Sequence, residues 1–167
     1  LSQSEIIANV DRDTIAHPDR INTSDIVTID VESGAQKTVL GDGKFRYQLE
    51  AVSSSGKLIA VNRSVPNVLT QSKLFVYDTK NWAGKLIDYD RTAGQLQFGK
   101  SESDLYFISP SNGGKVVNRV KLSNEKVTTL TSFDEGVNDF WIGKRNTLYA
   151  KTTFANPAEL FLADVNF

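Results

Sequence analysis

The stretch Gln95–Thr131, QLQFGKSESDLYFISPSNGGKVVNRVKLSNEKVTTLT, reads as four short strands separated by turns. Gln95-Leu96-Gln97-Phe98 alternates polar with apolar, the signature of a half-buried strand. Leu105-Tyr106-Phe107-Ile108 is apolar throughout, Val116–Leu122 alternates loosely, and Lys126–Thr131 is rich in β-branched residues. Between them lie Lys100–Asp104, Pro110–Gly114 and Ser123-Asn124-Glu125. These are turn compositions, because Gly and Asn accept positive φ while Ser and Asp hydrogen-bond their own backbone. Four strands on short turns form an antiparallel meander. One such sheet has two faces to cover and needs copies of itself on either side.

The sequence holds such copies. The run Leu105-Tyr106-Phe107 has counterparts in Leu58-Ile59-Ala60, Leu148-Tyr149-Ala150 and, more weakly, Ile6-Ile7-Ala8. The run ending Lys121-Leu122-Ser123 has counterparts in Thr28-Ile29-Asp30, Val76-Tyr77-Asp78 and Leu162-Ala163-Asp164. A period drifting through the forties with four strands per period marks a β-propeller blade. A β-sandwich also has recurrent strands and turns. Two separate anchors, repeated in the same order, favour the propeller.

Composition bounds the rest. The 167 residues suffice for one ordinary domain, and 40% hydrophobic with 23% charged content is that of a globular chain. Nineteen basic against twenty acidic residues leave no excess for nucleic acid, and no apolar run has the length of a membrane-spanning helix. Cysteine is absent, which excludes disulfides and thiolate metal sites. Leu1–Val10 lacks the basic start and long apolar core of a secretory leader. With no initiating Met, the sequence reads as part of a longer product.

Taken in order, the strands group into an all-β arc of about four blades. Blade I is read over 5–40, blade II over 47–89, blade III over 95–131 and blade IV over 137–164, with three, four, four and three strands. The first and last are incomplete, and the polar stretch Asp11–Ser24, with Pro18 and His17, reads as a loop. A closed ring hides its edges. Two open blades therefore predict an arc, residues 1–167, cut from a larger propeller. Tyr77, Tyr106, Phe107, Phe140, Trp141 and Tyr149 are expected to fill the gaps between blades.

The recurring phrases resemble those in the propeller of prolyl-oligopeptidase-family (S9) serine peptidases, especially the dipeptidyl-peptidase and acylaminoacyl-peptidase branches. Ser53-Ser54-Ser55-Gly56-Lys57-Leu58-Ile59-Ala60 is similar to that family's SPDGKxIAF turn. Asp90–Phe98 followed by Asp104-Leu105-Tyr106-Phe107 resembles its Asp-Arg segment leading to LYF. Asn156-Pro157-Ala158-Glu159-Leu160-Phe161-Leu162-Ala163-Asp164 is similar to the P-x-E-L-Y-x-x-D run that precedes the hydrolase domain. The likeness runs from Asp25 onward, with Val52, Ser54, Ser55, Gly99 and Glu102 departing from the turn pattern. It implies a propeller stacked over an α/β-hydrolase domain and limiting entry to oligopeptides.

The residues themselves offer no catalytic set. A serine hydrolase needs a nucleophile on a sharp turn, an imidazole base and an orienting carboxylate, and no G-x-S-x-G is present. The only histidine, His17, reads as a solvated loop residue. Asp11-Arg12-Asp13 lacks the later ligands of a calcium loop, and no metal or cofactor site is expected. Gly41-Asp42-Gly43 and Gly113-Gly114 read as turn glycines rather than a phosphate loop. Asn22-Thr23-Ser24 and Asn62-Arg63-Ser64 match glycosylation acceptors by a common pattern. Asp88, Asp90 and Arg91 cluster near a channel position but read first as a surface ion pair. The expectation is a non-catalytic propeller portion of an oligopeptide-cleaving serine peptidase. Its partners would be the rest of the propeller, a hydrolase domain and the peptide substrate, with no nucleic acid and no membrane span. The alternative is a non-enzymatic propeller scaffold, periplasmic or WD-like, for protein–protein interaction.

Overall fold

The structure, a computed structural model, describes residues 4–12, 23–132, 136–153 and 155–164. Fourteen strands and no helix occur among them, forming two compact units, Leu1–Asp88 and Tyr89–Phe167.

The first unit holds β1 (Glu5–Asp11), β2 (Ser24–Asp30), β3 (Gln36–Leu40), β4 (Arg46–Val52), β5 (Leu58–Ser64), β6 (Lys73–Asp78) and β7 (Gly84–Ile87). β1, β2 and β3 form one antiparallel set and β4 to β7 another, joined by a single parallel bridge, Ser24 to Arg46. Alternation in β5 sends Ile59 and Val61 to one face. Their cross-strand partners are Tyr77 and Phe75, the aromatic–aliphatic pairing that stabilises sheets. Ile26, Tyr47, Ile59, Val61, Phe75 and Tyr77 make the buried core, with Ile7, Leu40, Leu49 and Trp82 packed around it. Burial of each large side chain contributes about 1.5–3 kcal/mol. The Arg63 guanidinium lies 4.0 Å from the Phe75 ring centre and 4.5 Å from that of Phe45. Burial, opposed by this cation, pushes the Tyr77 phenol above its ordinary range.

The second unit holds β8 (Gly94–Phe98), β9 (Asp104–Ser111), β10 (Gly114–Lys121), β11 (Lys126–Thr129), β12 (Gly136–Ile142), β13 (Asn146–Thr152) and β14 (Glu159–Asp164). One sheet runs β11-β10-β9-β8 and the other β12-β13-β14. Tyr106, Ile108 and Val117 of the first pack on Val137, Phe140 and Ile142 of the second. Inside the four-stranded sheet, fully buried Asn118 donates to Ser109 Oγ and accepts from Thr129 Oγ1, both at 2.9 Å, while Ser109 meets the Tyr89 hydroxyl at 2.6 Å. Every polar atom of that chain has a partner, so it costs little to bury.

The structure corrects the internal alignment read from sequence. Hairpin-closing bonds run from Ser53 N to Leu58 O, Gly99 N to Asp104 O and Gly143 N to Asn146 O. Equivalent second-strand runs are therefore Ile59-Ala60-Val61, Leu105-Tyr106-Phe107 and Thr147-Leu148-Tyr149, one residue away from the match by apolarity. Leu105–Ile108 is buried on both faces, so its composition carries no period-two phase, and a slip of one residue exchanges the faces. In the third strands Asp30, Asp78 and Asp164 are equivalent, opposite Glu5, Leu58 and Asn146, but their counterpart is Lys121, opposite Asp104, rather than Ser123. β9 also runs through Pro110 to Ser111, although both belong to a stretch of turn composition. Glu102 stands where Gly56 stands in its hairpin, with φ of 57° against 69°.

Trp141 differs from the other aromatics. Tyr77, Tyr106, Phe107 and Phe140 are buried as expected, but Trp141 is 61% exposed. It follows Phe140 along β12 and so points to the opposite face, in a row with Leu148 and Leu162. Among the described residues no other sheet covers that face.

Candidate functional site

At one end of the second unit the chain makes a tight turn, Ser111-Asn112-Gly113-Gly114. Asn112 and Gly113 have φ of 45° and 83°. Two consecutive left-handed residues are what a two-residue hairpin turn requires, and Asn-Gly supplies them at least cost. The turn sets Lys115 opposite Pro110 across the β9–β10 ladder. Nearby, β12 begins at Gly136, opposite Thr152 of β13. Between these ends lies an open cleft of about 1030 Å³, lined by Arg91, residues 110–115, Gly136, Asn138, Thr152 and Thr153.

The polar groups of the cleft are few and fixed. Arg91 Nη1 donates to Pro110 O at 3.1 Å, and its Nε lies 3.5 Å from Asp90 Oδ1. Asn138 donates its amide to the Thr152 hydroxyl. Lys115 is exposed, and among the described residues no carboxylate lines the cleft. A second, small hollow of about 100 Å³ sits on the exposed face of β12–β14, among Asp139, Trp141, Leu148, Ala150 and Leu160.

Of the trio singled out in sequence, Asp90 and Arg91 form the expected surface pair, both well exposed. His17, Asp13 and Asn22 lie outside the described residues. Arg12 donates to Asp25 at 2.6 Å and to Thr38 at 2.7 Å, which ties that segment into the first unit. Among the described residues no three His, Cys, Asp or Glu side chains are grouped as a metal site would need. Asn62 is buried in β5 and donates to Glu50 at 2.9 Å, so that acceptor motif is closed to a glycan.

Sequence reasoning missed two amides that stitch neighbouring sheets. Asn9 of β1 donates to Tyr47 O and accepts from Leu49 N, both at 2.7 Å. Gln97 of β8 donates to Ile142 O at 3.0 Å and accepts from Ile142 N at 2.8 Å. In each unit one side-chain amide thus takes the place of a ladder partner on the bare edge of the next sheet's first strand. The available signal was an amide side chain within a strand opposite a large apolar residue: Asn9 is opposite Ile26, and Gln97 opposite Tyr106.

No family model and no curated protein matches the sequence. Solved structures do match. The β-propeller domain of the trilobed protease from Pyrococcus furiosus aligns at TM-score 0.71 and 23% identity, over 96% of this chain and 49% of that one.

The fold is a partial β-propeller.

Acylaminoacyl peptidase from Pyrococcus horikoshii aligns at TM-score 0.70 and 22% identity, over 96% of this chain and 25% of the peptidase. TolB from Acinetobacter baumannii aligns at 0.59 and 17%, over 86% and 36%. The propeller described here thus spans about half of the matched protease propeller and a quarter of the peptidase. Propeller blades account for the open sheets, since each blade buries its faces on its neighbours.

Proposed function

We propose that this chain is the propeller portion of an oligopeptide-cleaving serine peptidase, limiting access to a hydrolase domain outside the sequence. The observation that carries the reading is the likeness to a protease propeller over 96% of the chain. The phrase Asn156–Asp164, similar to the run that precedes a hydrolase domain, points the same way. In this reading blade I comprises residues 5–40, blade II 47–89, blade III 95–131 and blade IV 137–164. The remaining blades cover the exposed Trp141, Leu148, Leu160 and Leu162. Exclusion is steric: a narrow entrance admits short flexible chains and rejects folded ones, with no reactive side chain required. The isolated chain is therefore catalytically silent toward aminoacyl and dipeptidyl chromogenic substrates, and turnover that survives purification refutes this. A parent gene without a downstream G-x-S-x-G also refutes it.

The apolar face of β12–β14 is equally the kind of surface a scaffold presents to a protein partner, and the TolB likeness accompanies that second reading. A further blade encoded downstream with no hydrolase favours the scaffold.

A further inference from the structure

The cleft of the second unit carries two cations held around one residue. Arg91 is anchored on the Pro110 carbonyl, Lys115 is the cross-strand partner of Pro110, and both residues line the cleft. Pro110 has no N–H to compete there. Asp90 meets only the Nε side of Arg91, at 3.5 Å and exposed to solvent, while Arg91 Nη2 and the Lys115 ammonium have no protein partner among the described residues. Around them are neutral hydrogen-bonding groups, Asn112 and Asn138 foremost, and glycine backbone that a ligand can approach closely. A Cβ added at Gly113 would meet nothing within 4 Å. A space of about 1030 Å³ is at the upper end of ligand pockets, more than a single small anion fills.

We propose that this cleft binds the C-terminal carboxylate of an extended peptide, with Arg91 and Lys115 holding the carboxylate and the amide-rich walls holding the peptide main chain. The guanidinium presents a planar pair of donors suited to a carboxylate, and the lysine adds a point charge. Choosing a peptide over other carboxylates rests on the peptidase reading above; the pairing of the cations does not.

The test is calorimetric titration of the 167-residue chain at low ionic strength with Ala-Ala-Ala as free acid, with its C-terminal amide, and with inorganic phosphate. The free acid should bind at least tenfold more tightly than the amide. Arg91→Ala and Lys115→Ala should each weaken the acid by about tenfold and leave the amide unchanged, and added salt should weaken the acid alone. Lys115 is exposed and Arg91 partly so, and circular dichroism checks that the variants keep their strand content. Equal binding of acid and amide, no binding of either, or variants that bind the acid as well as the wild type overturn the proposal. Phosphate bound more tightly than the tripeptide through the same residues overturns the peptide assignment. Loss of the peptidase reading is detected separately, in the parent gene, and leaves the acid-over-amide comparison to stand or fall by itself.

Discussion

Replacing Gln97 by Leu keeps the volume of the side chain and deletes both bonds to Ile142. Those bonds, at 2.8 and 3.0 Å, satisfy the N–H and C=O of a residue that is 7% exposed. Two net hydrogen bonds contribute about 1–3 kcal/mol, and a buried backbone group left without a partner costs about 1–3 kcal/mol. Water reaches part of this seam, so the expected loss is about 2–3 kcal/mol. For a chain of this size that lowers the melting temperature by roughly 4–12 °C. Urea unfolding gives the loss as a shift in midpoint. Amide hydrogen exchange gives it locally, because the Ile142 N–H should lose protection while amides in the β9–β10 ladder keep most of theirs. Gln97→Glu should fall in between near neutral pH, since a carboxylate still accepts from Ile142 N–H but faces its carbonyl with a second acceptor. An unchanged midpoint together with a protected Ile142 amide in Gln97→Leu refutes the stitching role.

Other outcomes follow from single residues. Burial holds the Glu50 carboxyl above its ordinary 4.5, opposed by the bond from Asn62. A raised folded-state value means the stability that protonation gives is complete below the unfolded value and is lost as pH rises through the folded one; Glu50→Gln should therefore flatten the pH dependence of urea midpoints above pH 4.5. Glu102→Gly relieves a left-handed φ of 57° and should raise stability by about 1 kcal/mol in thermal unfolding. Gly84→Ala should lower it by about 1–3 kcal/mol, because the new Cβ would lie 2.3 Å from the Tyr77 ring. Phe140→Ala should cost about 3–5 kcal/mol. Trp141→Ser, at 61% exposure, should cost well under half of that in the same denaturation assay.

Much of the fold was legible because strands and turns are local. Asn112-Gly113 forces a hairpin, and β-branched runs such as Lys126–Thr129 favour extended backbone whatever lies beside them. Register was less legible. Leu105–Ile108 is apolar at every position, and only the hairpin bond from Gly99 N to Asp104 O fixes which side chains face which sheet. The same limit hides that Trp141 and its equally apolar neighbour Phe140 face opposite sides of β12. Pro110 belongs to a stretch of turn composition, Pro110–Gly114, yet it pairs with Lys115 one step from the end of the ladder, where its missing N–H is tolerated. The cleft was visible only as the pair Asp90–Arg91, since the meeting of Arg91 with the Pro110 carbonyl joins residues nineteen apart. Asn9 and Gln97 bond across separations of 38 to 45 residues, beyond what alternation encodes.

The most direct measurement is turnover by the intact parent protein across a ladder of substrates, from short peptides to long unfolded and then folded chains. The account predicts hydrolysis of the short members, a steep fall with length and no attack on folded protein. Absence of hydrolysis at every length, or equal rates on short peptides and folded proteins, contradicts it.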